Sequence, residues 1–235
     1  MKTSSFFFKI SKNSQILTNL YIYYNIYIRN IKFFFKSTQF KEDESILKLF
    51  KKKGYYVDVG CYHPVRYNNT FKMFKLGWSG INIDLNPLSI KLFNVARPKD
   101  INICAAISNK KKRALYFDNE LSPINTLEAN HTNYYKKAFG QSIKKSRIIK
   151  TKKLSEILKE NKIFKIDFLN IDVEGHELNV LKSINLKKIY VKVVCIEIIE
   201  HNQRAKKVGK NAIKYLKTNG FKFKFKKGIN YIFTQ

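Results

Sequence analysis

The sequence predicts an α/β domain built on a parallel sheet with helices on both faces, preceded by an N-terminal helical extension. Three observations predict it. From residue 55 onward, short apolar runs of strand length alternate with amphipathic stretches of helical period. No linker rich in Pro, Gly or Ser divides the chain, and no internal repeat is visible. At 235 residues with 44% hydrophobic residues the chain can bury one sizeable core. The simplest organisation is therefore an extension over 1–50 and one domain over 51–235.

The elements follow in order. Residues 15–36 read as an amphipathic helix, with Thr18, Asn25, Arg29, Lys32 and Lys36 on one side and Leu17, Leu20, Tyr24, Tyr27, Ile31 and Phe34 on the other. The simplest expectation is that this apolar side packs on the domain; a rest on anionic lipid is the alternative. Residues 45–53 read as a short helix stopped by Gly54. Then come strand "YYVDV", helix near "TFKMFKLG", strand "GINID", helix "NPLSIKLFNVA" and strand "INICAAI". The middle of the chain shows one strand at its start and no sustained helical pattern, so 118–150 reads as a segment that covers substrate. The alternation resumes with "LSEILKEN", "IDFLNID", "HELNVLKSI" and "IYVKVVCIEII". Helix "QRAKKVGKNAIKYLKT" ends at Asn219-Gly220, and the chain closes on a hairpin around Gly228.

A formal charge of +29 is what a nucleic-acid partner would attract. The basic residues are spread along the chain, however, apart from 51–53 and 110–113, and Lys, Asn, Ile, Phe and Tyr are abundant together, as AT-rich coding produces without selection for a partner. Nucleic acid is kept as an alternative partner, behind a solvated surface or attraction to anionic lipid or glycan. The cysteines Cys61, Cys104 and Cys195 are odd in number, far apart and set in apolar runs, which predicts buried, reduced thiols. "SFFFKI" is too short for a secretory core. The expected address is the cytoplasm, with the inner face of the membrane as the alternative.

With only 17 acids in the chain, their places are informative. Asp58 lies near the end of the first strand, Asp84 closes the second, Asp100 precedes the third, Asp172 closes "IDFLNID" and Glu197 lies in the last parallel strand. Open parallel sheets bind ligands outside the carboxyl ends of their strands. Gly60 allows close backbone approach there, and Asp84 can accept both hydroxyls of a ribose. The turn "DVGCYH" lacks the further glycines of a dinucleotide fingerprint, and no phosphate-cradling loop is present. That combination suits a nucleoside without a pyrophosphate, S-adenosylmethionine better than NAD or ATP.

The blocks "VDVGCYHPVRYNNTFKMFKLGWSGINIDLNP", "RPKDINICAAIS", "INTL" and "FLNIDVEGHELNVLKSI" resemble, in order and spacing, the FkbM-type S-adenosylmethionine-dependent methyltransferase family of the Rossmann-like methyltransferase superfamily. The resemblance runs from about residue 55 to the end. It implies a seven-stranded, mostly parallel sheet whose last strand is antiparallel. It also implies that Asp58, Gly60, Cys61, Tyr62 and His63 surround the amino-acid part of the cofactor, that Asp84 holds the ribose, and that Asp100 and Ile101 lie beside the adenine. Asn69-Thr70 suits either a helix cap or a cofactor contact, and Thr70 is carried as a cofactor candidate. Trp78 reads as core.

Methyl transfer to oxygen needs an in-line approach and a base for the hydroxyl proton. "IDVEGHE" supplies Asp172, Glu174 and His176 as catalytic candidates, with the division of labour open. A divalent metal on Asp172, Glu174 and Glu197 is the less favoured arrangement, and no metal ligand is assigned. The resemblance implies an O-methyltransferase whose acceptor is a sugar, a glycan or a secondary metabolite. That acceptor would sit beneath 118–150, where Asn125, His131, Tyr134 and Tyr135 suit sugar binding. Two alternatives stand beside it: an RNA methyltransferase using the basic surface, and a membrane-surface protein with a degenerate methyltransferase domain.

Overall fold

The computed structural model describes residues 14–36, 38–118, 121–140 and 145–235. Among the described residues ten strands form: β1 (Tyr55–Val59), β2 (Ser79–Asp84), β3 (Ile101–Cys104), β4 (Ala106–Ile107), β5 (Arg113–Asp118), β6 (Lys145–Lys152), β7 (Lys165–Ile171), β8 (Tyr190–Glu197), β9 (Lys222–Lys227) and β10 (Asn230–Thr234). The α-helices are α1 (Gln15–Tyr23), α2 (Glu42–Leu47), α3 (Phe71–Lys75), α4 (Pro87–Ala96), α5 (Ala129–Phe139), α6 (Leu154–Glu160), α7 (Glu177–Leu181) and α8 (Gln203–Thr218). None of the helices among the described residues is long and apolar enough to cross a membrane.

A seven-stranded sheet in the order β3-β2-β1-β7-β8-β10-β9 forms the centre. β1, β2, β3, β7 and β8 run parallel, and β10 runs antiparallel to both its neighbours. The expected mostly parallel sheet with an antiparallel last strand is thus the one found. Side chains alternate between its faces, as the strand period of two requires. Val57, Ile81, Leu169 and Val194 pack into the larger core with α6, α7 and α8, whereas Tyr56, Phe168, Val193 and Ile232 pack with Ile46, Met73 and Trp78 on the other face. Trp78 is core, as expected. The outermost strand, β9, is "KFKFKK" and mostly exposed, which places lysines along an unpaired edge and explains part of the positive charge as protection against edge-to-edge pairing.

Local chemistry sets the helix ends. Asn86 caps α4 by accepting the Leu88 N–H at 2.9 Å, with Pro87 at the first helical position. Asn202 does the same for α8 through the Ala205 N–H at 2.8 Å. At α2, Thr38 Oγ1 and Asp43 bond reciprocally, and Glu42 accepts the Phe40 N–H at 2.8 Å. The helix consequently starts at Glu42, ahead of the expected residue 45.

Three readings of the sequence need correction. The middle segment holds an eleven-residue helix, α5, closed by Gly140 in the left-handed conformation, and an antiparallel pair, β5 with β6, that joins β4 in a second sheet. Tyr, Asn and Lys dominate α5, so its period carries little apolar signal. Cys104 is exposed and unpaired, unlike the buried Cys61 and Cys195, because β3 ends there.

The N-terminal segment is the third correction. It is not one regular helix: α1 runs into a π-turn over Tyr24–Ile28 and a 3-10 turn over Ile31–Phe34. Wider π-turns carry more residues per turn, so they shift the phase of the face. Tyr21, Ile22, Asn25, Ile26 and Asn30 are the buried residues; of the face expected to pack inward, Leu17, Leu20, Tyr24, Tyr27 and Ile31 are exposed, and Phe34 alone packs against the domain. Ile22 and Ile26 pack on Val65 and Leu92. The reading of "SFFFKI" falls outside the described residues.

Candidate functional site

Chain order reverses between β1 and β7, which makes the carboxyl ends of these strands the topological switch point of the sheet. The strand ends are stitched together there. Gly60 and Cys61 N–H groups donate to the Ile83 carbonyl at 2.8 and 3.2 Å, and the Asp172 N–H donates to the Val59 carbonyl at 2.9 Å. Gly60 has φ +83°, and a Cβ built on it would collide with the backbone carbonyl of Asp172. The glycine is therefore required by the packing of one strand end on another as well as by the turn.

A narrow cleft opens at this point, with about 510 Å³ of space including its mouth. Its floor is Gly60, Asp84 and Asp172; its walls are Ile83, Leu85, Ala105 and Ile107; and Ser122, Asn125 and His176 close the far side. None of the described residues that line it is Lys or Arg, in a chain of formal charge +29.

Asp84 is buried at the end of β2, where its Oδ2 accepts the Tyr62 N–H at 2.8 Å and its Oδ1 accepts the Asn86 N–H at 2.7 Å. Burial pushes its carboxyl up to about 6, held back by those two N–H donors and pushed further by Asp58. Each oxygen keeps one lone pair for a ligand hydroxyl.

Asp58 does not reach the cleft. It lies wholly buried beneath the turn, where Oδ2 accepts from Asn68 Nδ2 and Thr70 Oγ1, both at 3.0 Å, and Oδ1 accepts from Asn170 Nδ2 at 2.9 Å. The buried guanidinium of Arg97 donates to Thr70 Oγ1 at 2.8 Å, to Asn68 Oδ1 at 2.7 Å and to the Pro64 carbonyl. Thr70 thus belongs to this frame, and it makes no side-chain cap to α3. Cys61 packs with Ile90 and Phe93. His63 faces the N-terminal extension: its Nδ1 accepts the Val65 and Arg66 N–H groups at 3.1 and 3.0 Å, and its Nε2 lies 3.3 Å from the side-chain amide of Asn30. Burial, with Arg66 and Arg97 nearby, lowers its pKa to about 3, so the ring is neutral.

Asp100 and Ile101 stand at the opposite end of the sheet. Asp100 accepts from the Tyr56 hydroxyl, from the Gly80 N–H at 3.1 Å and from Asn82 Nδ2 at 3.0 Å, all on the amino-terminal side of the cleft. The expectation that they lie beside an adenine is corrected by this placement, because Asp100 precedes its strand. Leu85 and Ala105 line the cleft instead.

The turn after β7 carries the reacting candidates. Glu174 has φ +54° and Gly175 φ +97°, so two successive residues occupy the left-handed region. A Cβ on Gly175 would overlap the His131 imidazole. Asp172, Glu174 and Glu197 each bring one carboxylate oxygen within 4.8 Å of the others. Burial, and then the neighbouring carboxylates, push Asp172 and Glu197 well above the usual carboxylate range. Glu174 accepts from the Tyr135 hydroxyl at 2.9 Å, and His131 Nδ1 lies 3.4 Å from the same oxygen. Burial and that carboxylate raise the Tyr135 phenol.

His176 lines the cleft with both ring nitrogens engaged: Nδ1 lies 2.7 Å from Glu128 Oε1 and Nε2 lies 3.0 Å from Ser108 Oγ. Glu128 and Ser108 were not among the sequence candidates. Both lie far from His176 in the chain, and the only signal for them was position within or beside the blocks "RPKDINICAAIS" and "INTL". Of the sugar-binding candidates, Asn125 lines the cleft, His131 is buried, Tyr135 holds Glu174, and Tyr134 stacks on His201 with ring centroids 4.4 Å apart.

No curated protein matches the chain. The family model described as the methyltransferase FkbM domain matches residues 58–223, which span the whole switch-point cleft and both sheets up to β9. The chain belongs to the FkbM methyltransferase family.

Proposed function

We propose that the cleft binds S-adenosylmethionine and that the protein transfers its methyl group to a hydroxyl oxygen of a sugar, a glycan or a secondary metabolite. The observation that carries this reading is the lining: two carboxylates, Asp84 and Asp172, between apolar walls, with no cationic side chain among the described residues there. Such a lining repels a pyrophosphate and suits a ligand that bears positive charge. The free lone pairs of Asp84 fit a vicinal diol, and Leu85, Ala105 and Ile107 fit a planar apolar ring.

When bound, S-adenosylmethionine supplies an electrophilic methyl carbon on a sulfonium. Asp84 orients the ribose from the end of β2. Asp172, at the end of β7 two strands away, accepts the hydroxyl proton as the acceptor oxygen bonds the methyl carbon and the carbon–sulfur bond breaks, releasing the thioether. Burial, and then the neighbouring Glu197 and Glu174, raise its affinity for protons, the direction a proton acceptor needs. His176, whose two ring nitrogens are held by Glu128 and Ser108, forms the other wall against which the acceptor is positioned. We take the carboxylate cluster as a shared-proton base: one Glu174 oxygen already accepts from the Tyr135 hydroxyl at 2.9 Å, with His131 Nδ1 3.4 Å away.

The test is transfer of a labelled methyl group to a panel of glycosides and hydroxylated metabolites, with Asp172→Asn beside the wild type. Label on oxygen in the wild type, lost in Asp172→Asn with donor affinity retained, is the expected result. Label on nitrogen or carbon would contradict O-methylation, and label on RNA would favour the nucleic-acid alternative.

A further inference from the structure

The N-terminal segment turns Tyr21, Ile22, Asn25, Ile26 and Asn30 inward, a narrow face that mixes apolar side chains with two asparagines. Asn25 Nδ2 donates to the Tyr21 carbonyl at 3.1 Å, and Asn30 Nδ2 donates to the Asn25 carbonyl while its amide meets His63. Both carbonyls belong to the segment itself, so the asparagines satisfy its own buried polar groups, while Ile22 and Ile26 seat it on the domain against Val65 and Leu92. The side left outward carries Ile16, Leu20, Tyr24, Tyr27, Ile28 and Ile31 at helical spacing, with Leu20 60% and Ile28 64% exposed. Phe35, 86% exposed, extends the stripe past the 3-10 turn. Monomeric proteins rarely leave so continuous an apolar stripe in water.

The charge around the stripe identifies its occupant. Arg29, Lys32 and Lys36 are exposed beside it, and no Asp or Glu occurs before Glu42. Three exposed tyrosines, Tyr23, Tyr24 and Tyr27, add rings with polar tips, which suit the boundary between headgroups and acyl chains. A protein partner or a second copy would need acids opposite these cations; a bilayer of anionic lipid supplies them as a continuous surface. The segment also lies before residue 58, where the match to the family model begins, so the feature belongs to this chain's extension.

We propose that the segment Gln15–Lys36 is a membrane-surface anchor, which lays the stripe Ile16, Leu20, Tyr24, Tyr27, Ile28 and Ile31 into the headgroup region of an anionic bilayer. The anchor lies in the interface plane and does not span it. It is seated on the domain through Ile22 and Ile26 against Val65 and Leu92, so docking holds the methyltransferase domain against the membrane by a packed contact. The inference does not depend on the methyl donor or acceptor.

The experiment is flotation of the full chain with vesicles of phosphatidylcholine alone and of phosphatidylcholine with 30% phosphatidylglycerol. Variants Leu20→Asp/Ile28→Asp and Lys32→Glu/Lys36→Glu are run beside the wild type, with circular dichroism as the check on folding; all four positions are exposed. The expected result is flotation with the anionic vesicles, at least tenfold weaker affinity in either double variant, and loss of binding to the anionic vesicles in high salt. Equal binding of wild type and Leu20→Asp/Ile28→Asp overturns the proposal. So does the absence of binding together with a dimer, seen by light scattering, that the same variant dissociates, because the stripe would then join two copies.

Discussion

Gly60 rests against the backbone carbonyl of Asp172, so that the ends of β1 and β7 touch without room for a single side-chain carbon. The contact sets the floor of the cleft and puts the proposed base one peptide away from the turn below the cofactor. Gly60→Ala adds a left-handed conformation at φ +83° and a backbone collision. We expect it to lower stability by about 3 kcal/mol or more and Tm by about 6 °C or more. Gly220→Ala, at φ +89° with open space around it, is the control and should cost only about 1 kcal/mol. Thermal melts of the two variants check this, and equal shifts would contradict the packing role.

Arg97 holds the frame under the cofactor turn. Its guanidinium is wholly buried and bonds Thr70, Asn68 and the Pro64 carbonyl, while Thr70 and Asn68 both bond Asp58. Arg97→Met leaves those acceptors and the buried carboxylate uncompensated, a loss of about 3–5 kcal/mol. Denaturant unfolding measures it. A loss under about 1 kcal/mol would mean that the frame stands without the guanidinium.

Asp84 gives the site a pH dependence. Its carboxyl ionises near 6 in the folded chain against an ordinary value of 3.8, so the folded state holds its proton to higher pH than the unfolded state does. Ionisation between these values weakens the folded state, and the cost, of order 3 kcal/mol, is fully present above about pH 6. A bound ribose and positive charge favour the ionised form. Affinity for S-adenosylmethionine should therefore rise as pH increases through about 6 and level off above it, with proton release on binding below that point. Calorimetry in two buffers of different ionisation enthalpy reads the release directly.

His176 is the positioned group of the other wall. Glu128→Gln removes the carboxylate 2.7 Å from Nδ1 and keeps the shape. Turnover should fall about 10–100-fold with donor affinity unchanged, and His176→Ala should fall at least as far. If the two variants lower donor affinity and spare turnover, His176 belongs to the cofactor side.

The sequence made the fold legible because its strands are short, apolar and bounded by clear turns, and their alternation with helices points to a parallel sheet, while the seven strands with an antiparallel last one came from the family resemblance. Within the site, residues at strand ends were legible: Gly60, Asp84, Asp172 and His176 all line the cleft. Asp100 was misplaced because an acid before a strand sits on the opposite edge from an acid after one. Glu128, Ser108 and Arg97 act through contacts between distant segments, which no local period reveals. The N-terminal stripe was legible as amphipathic, but its direction was not. The π-turn over Tyr24–Ile28 shifts the phase, so Ile22 and Ile26 take the inward positions.

Chelation separates the two readings of the carboxylates. If Asp172, Glu174 and Glu197 share a proton, turnover should be unchanged after prolonged treatment with EDTA. Loss of turnover restored by Mg²⁺ would establish the metal arrangement instead.

The most direct test of the account is calorimetric binding of S-adenosylmethionine and S-adenosylhomocysteine to the full chain and to Asp84→Ala. Micromolar binding to the wild type, of order −8 kcal/mol, that disappears in Asp84→Ala is the predicted result. Equal affinity in wild type and Asp84→Ala would contradict the ribose role and, with it, the assignment of the switch-point cleft.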